Sequence, residues 1–165
     1  SQQDIVEVLK KLRISKLERP DFVAKEGIKA LSSGYVQSGE IYSVYEQVCL
    51  AALHVGDDDL AQSCIDVLEK KFGANKSSRL RRLLATKDEA NGNFNAALEK
   101  YNVLLKENSV NLLAMKRKAA VYRQMGNYKA AIDQLNDIVK YYGSDIQTWN
   151  LFVDIYLETS NYEYA

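Results

Sequence analysis

The feature that most constrains this chain is a step of 34 residues at which the same residue types return. Glycine, an aromatic residue and alanine each recur at this interval, in the same order each time. Such agreement at several positions indicates an internal repeat of fixed length. The recurring positions are Gly92 and Gly126; Phe94, Tyr128 and Tyr162; and Ala97, Ala131 and Ala165.

The recurring residue types explain how one repeat folds. A step of 34 residues is the period of tetratricopeptide repeats (TPRs), in which each unit is a first helix, a turn and a second helix. Glycine permits the backbone conformation that ends the first helix, and alanine lets the second helix approach its neighbour closely. A single helix pair cannot bury its own apolar face, so successive pairs stack. The sequence therefore predicts an all-α, TPR-type α-solenoid of antiparallel helix pairs forming a right-handed superhelix.

A weaker copy precedes the clear ones. Gly56 corresponds to the turn glycine Gly92, and Ala61 corresponds to the small residue Ala97 of the second helix. The step from Gly56 to Gly92 is, however, 36 residues. The two extra residues are expected in the loop around 73–78. We expect first helices over 41–55, 78–91, 111–125 and 146–159, second helices over 57–72, 94–107 and 128–141, and an incomplete second helix that begins near Tyr162.

Residues 1–39 do not keep the period. "QDIVEVLKKL" and "DFVAKEGIKAL" carry apolar residues at three- and four-residue spacing, which predicts two helices. Pro20 favours a break or a helix start, and 32–39 reads as a loop. We expect residues 1–39 to cap the N-terminal face of the array, and residues 40–165 to form about three and a half repeats with the last one truncated.

Composition narrows the function classes. The chain has 22 basic and 22 acidic residues, a balance that argues against a general nucleic-acid or membrane-surface binder. Its longest apolar run, "VCLAALHV", is too short to span a bilayer. The absence of an initiator Met and the stop at Ala165 within a repeat lead us to expect a fragment of a longer protein.

Residues capable of chemistry are few and scattered. His54 ends a helix and has no obvious catalytic partner, while Cys49 and Cys64 lie on apolar helix faces and read as core residues. The acids of "GDDD" favour the N-terminus of the next helix. We expect no enzyme activity, no metal site and no cofactor. The tyrosines assigned to the repeat core are Tyr101, Tyr122, Tyr128, Tyr156 and Tyr162.

A concave groove lined by the first helices is the candidate binding surface. Its basic members favour an acidic or C-terminal peptide, although exposed Lys and Arg are also common as solvated surface, and both readings stay open. The carboxylate clamp of chaperone adaptors is not formed, because Asp154 would repel a carboxylate. The candidate groove residues are Arg79, Arg82, Glu89, Lys116, Arg123, Asn150 and Asp154.

The irregular stretch "YEQVCLAALHVGDDDLAQSCIDVLEKKFGANKSSRLRRL" departs from the repeat pattern and resembles the family of subunit 2 of the endoplasmic reticulum (ER) membrane protein complex. "AMKRKAAVYRQMGNYKAAIDQLNDIV" and "IQTWNLFVDIYLETSNYEYA" continue the resemblance. It covers 40–165 well and the N-terminal helices loosely.

The resemblance implies a non-catalytic TPR scaffold, peripheral on the cytoplasmic face of the ER membrane. Its complex inserts tail-anchored and multipass membrane proteins, and its partners are cytosolic segments of membrane-embedded subunits and a soluble cytosolic subunit. The alternative is a peptide-binding adaptor or co-chaperone with a basic groove. In a truncated chain we expect Trp149, Phe152 and Tyr156 to be incompletely covered, which favours self-association through that end.

Overall fold

The chain folds into helices joined by short turns. The computed structural model describes residues 1–15, 18–73 and 77–163, with side chains described as far as Ser160. These residues form two compact units, Ser1–Ala90 and Asn91–Ala165, which are treated separately below. The helices are α1 (Gln2–Ser15), α2 (Pro20–Ser32), α3 (Ile41–Val55), α4 (Asp58–Phe72), α5 (Ser78–Ala90), α6 (Phe94–Glu107), α7 (Leu112–Gln124), α8 (Tyr128–Tyr141) and α9 (Ile146–Glu163).

The predicted helices α1 to α8 are confirmed, and the predicted ends of α3 to α8 lie within one residue of those observed. Pro20 is the first residue of α2, where its missing N–H costs nothing. Gly56, Gly92 and Gly126 have φ values of 78°, 75° and 72°, the left-handed conformation that glycine adopts at little cost. The turns therefore form for the reason the sequence indicated. The two extra residues predicted in the loop around 73–78 fall on a segment that includes 74–76, which lie outside the described residues.

The prediction for the last repeat is wrong at its turn. A break near Ser160 and a new helix near Tyr162 were expected, but α9 continues to Glu163. Ser160 occupies the position held by Gly92 and Gly126, and a residue with a Cβ enters the left-handed region only at a cost of about 1–2 kcal/mol. Without glycine the helix is the cheaper conformation. Tyr164 and Ala165 lie outside the described residues.

The first unit is built around α3. Helix α2 packs between α1 and α3, and α3 in turn packs on α4 and α5. Gly27 of α2 lies so close to α3 that a Cβ at this position would be 2.2 Å from Cγ2 of Val48. The core extends from Leu9 of α1 through Val48 to Leu83 of α5. That residues 1–39 act as a cap stays a prediction.

The second unit repeats this arrangement. Helix α7 packs on α6 and α8, and α8 packs on α9. Ala97 and Ala131, the predicted small positions, are fully buried. Leu135 and Ile138 of α8 share a core with Ile155 of α9. The pairing of α5 with α6 as one repeat joins the two units and stays a prediction.

Candidate protein-interaction surface

In the first unit, side chains connect α3 with α5, which are the first helices of two consecutive repeats. Glu46 of α3 accepts hydrogen bonds from Arg79 and Arg82 of α5, the latter at 2.9 Å between Nη2 and Oε1. The Glu46 side chain is 13% exposed and Arg82 is partly buried, whereas Arg79 is well exposed. Two guanidinium groups thus share one carboxylate, which leaves a single surplus positive charge at this point.

Helix α1 is tied to α3 by the same kind of contact. Arg13 donates from Nη2 to Oε1 of Glu40 at 3.1 Å and from Nη1 to Oε1 of Gln47 at 3.1 Å. Gln47 in turn donates to the carbonyl oxygen of Leu9 at 3.1 Å. Sequence reasoning missed these pairs, because residues 1–39 do not keep the repeat pattern that would place α1 beside α3.

In the second unit, the predicted basic residues also have partners. Lys116 Nζ lies 2.7 Å from Oδ2 of Asp145 and donates to Oε1 of Gln147 at 2.8 Å. These two partner side chains and its partial burial hold the Lys116 side chain against the start of α9. Side-chain oxygen atoms of the protein therefore already contact the ammonium group in place of water.

Arg123 is bound by two acids of α9. It donates from Nε to both carboxylate oxygens of Glu158 at 3.1 Å, and from Nη1 to Oδ2 of Asp154 at 3.3 Å. The hydrogen bond with Glu158 raises the pKa of Arg123, and the same bond lowers the pKa of Glu158. Both groups stay ionised at neutral pH, so the bond persists.

The remaining predicted groove residues differ in exposure. Asn150 is exposed on α9, whereas Glu89 of α5 is only 4% exposed. Glu89 therefore contributes no accessible carboxylate. The first unit contains three of the candidates, Arg79, Arg82 and Glu89, and the second unit contains the other four. That all seven line one groove stays a prediction.

The first unit contains a cavity that the sequence did not reveal. Its volume is about 390 Å³, and it is bordered by α1, the start of α2, α3 and the start of α5. Leu12, Val23 and Leu50 supply apolar walls, and Arg79 and His54 supply polar ones. His54 was predicted only as a helix-end residue, since nothing in the sequence shows that the cavity lies beside it. The cavity suits an apolar side chain flanked by polar groups.

The two thiols have no exposed surface. Cys49 and Cys64 are buried as predicted, and Cys49 Sγ donates to the carbonyl oxygen of Ala61 at 3.5 Å. Burial raises the pKa of Cys49 to about 12 and that of Cys64 to about 11. Neither forms a thiolate near neutral pH, so neither is poised as a nucleophile.

The predicted cap at the N-terminus of α4 is also confirmed, because the Asp57 side chain accepts a hydrogen bond from the Leu60 N–H.

The predicted tyrosine core is confirmed in part. Tyr101 is fully buried, and Tyr122 and Tyr128 are half-buried against the core of the second unit. The assignment of Tyr156 to the core is wrong, because it is exposed on α9 where no described helix covers it; its exposure agrees with the incomplete cover expected at this end. The side chain of Tyr162 lies outside the described residues. Trp149 is exposed as expected from incomplete cover, whereas Phe152 is buried.

Within the described ranges, no three His, Cys, Asp or Glu side chains are grouped so that they could hold a metal ion. No helix of the part of the chain that the structure describes is both long and apolar enough to cross a membrane.

Helix pairs with a 34-residue period, stacked through alanine positions, define a TPR-type α-solenoid. The fold is similar to a crystal structure of a tetratricopeptide repeat protein from Parabacteroides merdae, with a TM-score of 0.56 and 16% identity over 98% of this chain and 61% of that one. The profile of the EMC2 TPR-like repeat domain matches residues 60–165. The chain belongs to this family.

Relatives of the chain carry consistent names. ER membrane protein complex subunit 2 of Xenopus tropicalis is 29% identical over 99% of this chain and 54% of its own length. The subunit 2 of Dictyostelium discoideum is 30% identical over 87% of this chain and 45% of its own length. TPR repeat protein oca3 of Schizosaccharomyces pombe is 33% identical over 76% of this chain and 44% of its own length. The chain thus spans about half the length of these relatives.

Proposed function

We propose that this chain is the TPR part of a non-catalytic scaffold subunit of the ER membrane protein complex. It lies peripherally on the cytoplasmic face of the ER membrane and organises cytosolic segments of membrane-embedded subunits, together with a soluble cytosolic subunit. The complex it serves inserts tail-anchored and multipass membrane proteins. The observation that carries this proposal is the family match over residues 60–165, with relatives named subunit 2 that align along nearly the whole chain.

The cavity of the first unit is the docking point that we assign to a partner's cytosolic segment. An apolar pocket with a polar rim fixes both the position and the orientation of a bound segment. Leu50 contributes an exposed apolar wall on α3, and Arg19 and Arg79 place positive charge at a rim that also carries Glu18. A segment with one large apolar residue beside an acidic residue meets both requirements.

The experiment compares two variants of the full-length protein in affinity purification from a detergent extract. Leu50→Glu places a charge in the cavity wall and is expected to reduce recovery of membrane-embedded partners several-fold. Val55→Glu is the matched control, because Val55 is equally exposed on the same helix but does not border the cavity. Equal recovery by both variants contradicts the docking assignment. Recovery of soluble chaperones alone by the wild-type protein contradicts the scaffold function.

The alternative function is a peptide-binding adaptor or co-chaperone; the surplus charge at Arg79 favours it, but its basic groove also needs Lys116 and Arg123 to be available to the ligand. The acidic partners of Arg82, Lys116 and Arg123 leave little net positive potential for an acidic ligand. The two functions separate in a binding assay with a labelled acidic peptide. The scaffold proposal expects Lys116→Glu with Arg123→Glu to leave affinity unchanged, whereas the adaptor function expects binding to be lost.

A further inference from the structure

The turn that precedes α6 contains an asparagine followed directly by a glycine, Asn91 and Gly92. This dipeptide occurs once in the sequence. The other two turn glycines, Gly56 and Gly126, follow Val55 and Met125, so the turn needs its glycine but does not need an asparagine before it. Asparagine followed by glycine is a pair with its own covalent chemistry, and the surroundings of the pair decide whether that chemistry can proceed.

The side chain of Asn91 is exposed and unrestrained. Among the residues that the structure describes, none forms a hydrogen bond with it. Asparagines elsewhere in the same unit are held by the backbone: Oδ1 of Asn108 accepts from the Val110 N–H at 3.2 Å, and Oδ1 of Asn127 accepts from the Ala130 N–H at 3.1 Å. The Asn91 amide is therefore free to rotate toward its own backbone.

Gly92 leaves room for that rotation. Its φ is 75°, and a Cβ at this position would have no atom within 4 Å. Because glycine has no side chain, nothing on Gly92 hinders the approach of the Asn91 side chain to the backbone nitrogen that links the two residues. The reacting groups belong to neighbouring residues, so their encounter is intramolecular and needs no further component.

We propose that Asn91 is a site of spontaneous deamidation. The backbone nitrogen of Gly92 attacks Cγ of Asn91, so that a bond between this nitrogen and Cγ forms and the bond between Cγ and Nδ2 breaks. Ammonia leaves and carries away the proton that the backbone nitrogen loses. Water then opens the succinimide ring at either carbonyl carbon, which yields aspartate or isoaspartate. The whole reaction consumes one water and releases one ammonia, without an oxidant or a reductant.

The isoaspartate product changes the turn. In isoaspartate the chain runs through Cβ and Cγ of the former side chain, which adds one carbon atom to the backbone before Gly92. The turn consists only of residues 91–93, and its last member, Asn93, accepts the first hydrogen bond of α6 from the Ala97 N–H at 3.0 Å. A longer backbone displaces Gly92 and Asn93 relative to α6. The second unit is therefore expected to lose stability as the protein ages.

Peptide mapping of the folded full-length protein tests the proposal. The protein is kept at body temperature in a mildly alkaline buffer, sampled over weeks and digested, and mass spectrometry separates asparagine from its products. Conversion of Asn91 is expected to be several-fold faster than conversion of Asn108, which precedes Ser109 and is hydrogen-bonded. Enzymatic methylation of the new carboxyl group identifies isoaspartate. A sample in denaturant gives the rate of the unrestrained chain.

Two variants separate deamidation at Asn91 from general ageing. Asn91→Gln keeps Gly92, but glutamine would have to close a larger ring, so this variant is expected to retain its urea midpoint while that of the wild type falls. Asn95→Gln, at an exposed asparagine of α6, is the matched control and is expected to age like the wild type.

Three results overturn the proposal. The first is that Asn91 stays intact in the folded protein while it converts in denaturant, which would mean that the turn blocks ring closure. The second is that Asn91 and Asn108 convert at equal rates. The third is that Asn91→Gln loses stability on ageing as fast as the wild type.

Discussion

Gly27 shows at the residue scale how one side chain sets the distance between two helices. A methyl group at this position would lie 2.2 Å from Cγ2 of Val48, which is itself fully buried and has no room to move. Gly27→Ala should therefore lower the free energy of unfolding by about 1–3 kcal/mol, the usual cost of overpacking a core. Denaturation in urea, followed by circular dichroism, measures the loss.

The control for this variant is Gly39→Ala. Nothing lies within 4 Å of a Cβ at Gly39, and the residue is exposed in the loop before α3. Its replacement should leave stability unchanged or raise it slightly, because alanine restricts the unfolded chain. Equal losses for the two variants would show that helix packing at Gly27 is looser than the structure indicates.

The buried thiols give a prediction about pH. Burial raises the pKa of Cys49 to about 12 and that of Cys64 to about 11, from 9.0 in an exposed thiol. In the unfolded state both lose protons above pH 9 while the folded state keeps them, so the unfolded state is favoured as pH rises. Their contribution to stability is complete below pH 9 and is lost through the range from 9 to 12.

The measurement compares the wild type with Cys49→Ala combined with Cys64→Ala. Unfolding free energies between pH 8 and 11 should fall more steeply for the wild type, since only it has thiols that titrate on unfolding. At pH 8 the native thiols should also react with iodoacetamide far more slowly than in denaturant. Parallel pH slopes, or rapid labelling of the native protein, would mean that the thiols are accessible.

Individual residues were predictable where the local pattern decides their surroundings. Cys49, Cys64 and Tyr101 lie on apolar stripes of their own helices, and burial follows from the stripe. The core position predicted for Tyr156 and the groove position predicted for Glu89 were not found. The exposure of such residues depends on which helix lies opposite them. Sequence periodicity identifies a face of a helix but not the neighbour that covers it.

At the element scale, the contacts between consecutive first helices are testable through Glu46. Glu46→Gln removes the carboxylate shared by Arg79 and Arg82 and should cost about 1 kcal/mol, since the site is partly shielded from water. Arg79→Gln should cost less than about 0.5 kcal/mol, because that side chain is well exposed. Urea denaturation at low and high salt measures both variants. A larger loss for Arg79→Gln than for Glu46→Gln would contradict the arrangement.

Helix boundaries were predictable because glycine and apolar spacing act locally. The turn at Ser160 was not, since the aromatic and alanine signals persist there while the glycine that makes the turn is replaced. The bonds of Arg13 with α3 were also missed, because residues 1–39 lack the repeat pattern although α1 contacts α3 in a comparable way. Ion pairs between elements depend on geometry that a period alone does not supply.

At the scale of the whole molecule, the repeat period determined the fold class, and an irregular segment determined the family. The turn and core residues of a TPR are shared by many proteins with different partners, so they specify architecture without specifying function. The stretch from Tyr45 to Leu83, where the pattern is broken, carried the resemblance that the family match then bore out. The cavity could not be predicted, because its walls come from residues distant in sequence.

The proposed scaffold function has a consequence for how the full-length protein is distributed in a cell extract. A subunit of a membrane complex that has no catalytic role should exist mainly in the assembled state, because its surfaces are occupied by partners. It should also leave the membrane on alkaline extraction, as a peripheral protein does.

The most direct test is gradient sedimentation of a mild detergent extract that contains the full-length protein, with mass spectrometry of its peak fraction. The account predicts that nearly all of the protein sediments far ahead of a free monomer, together with membrane-embedded proteins. Sedimentation as a free protein, or only together with soluble chaperones, would contradict it.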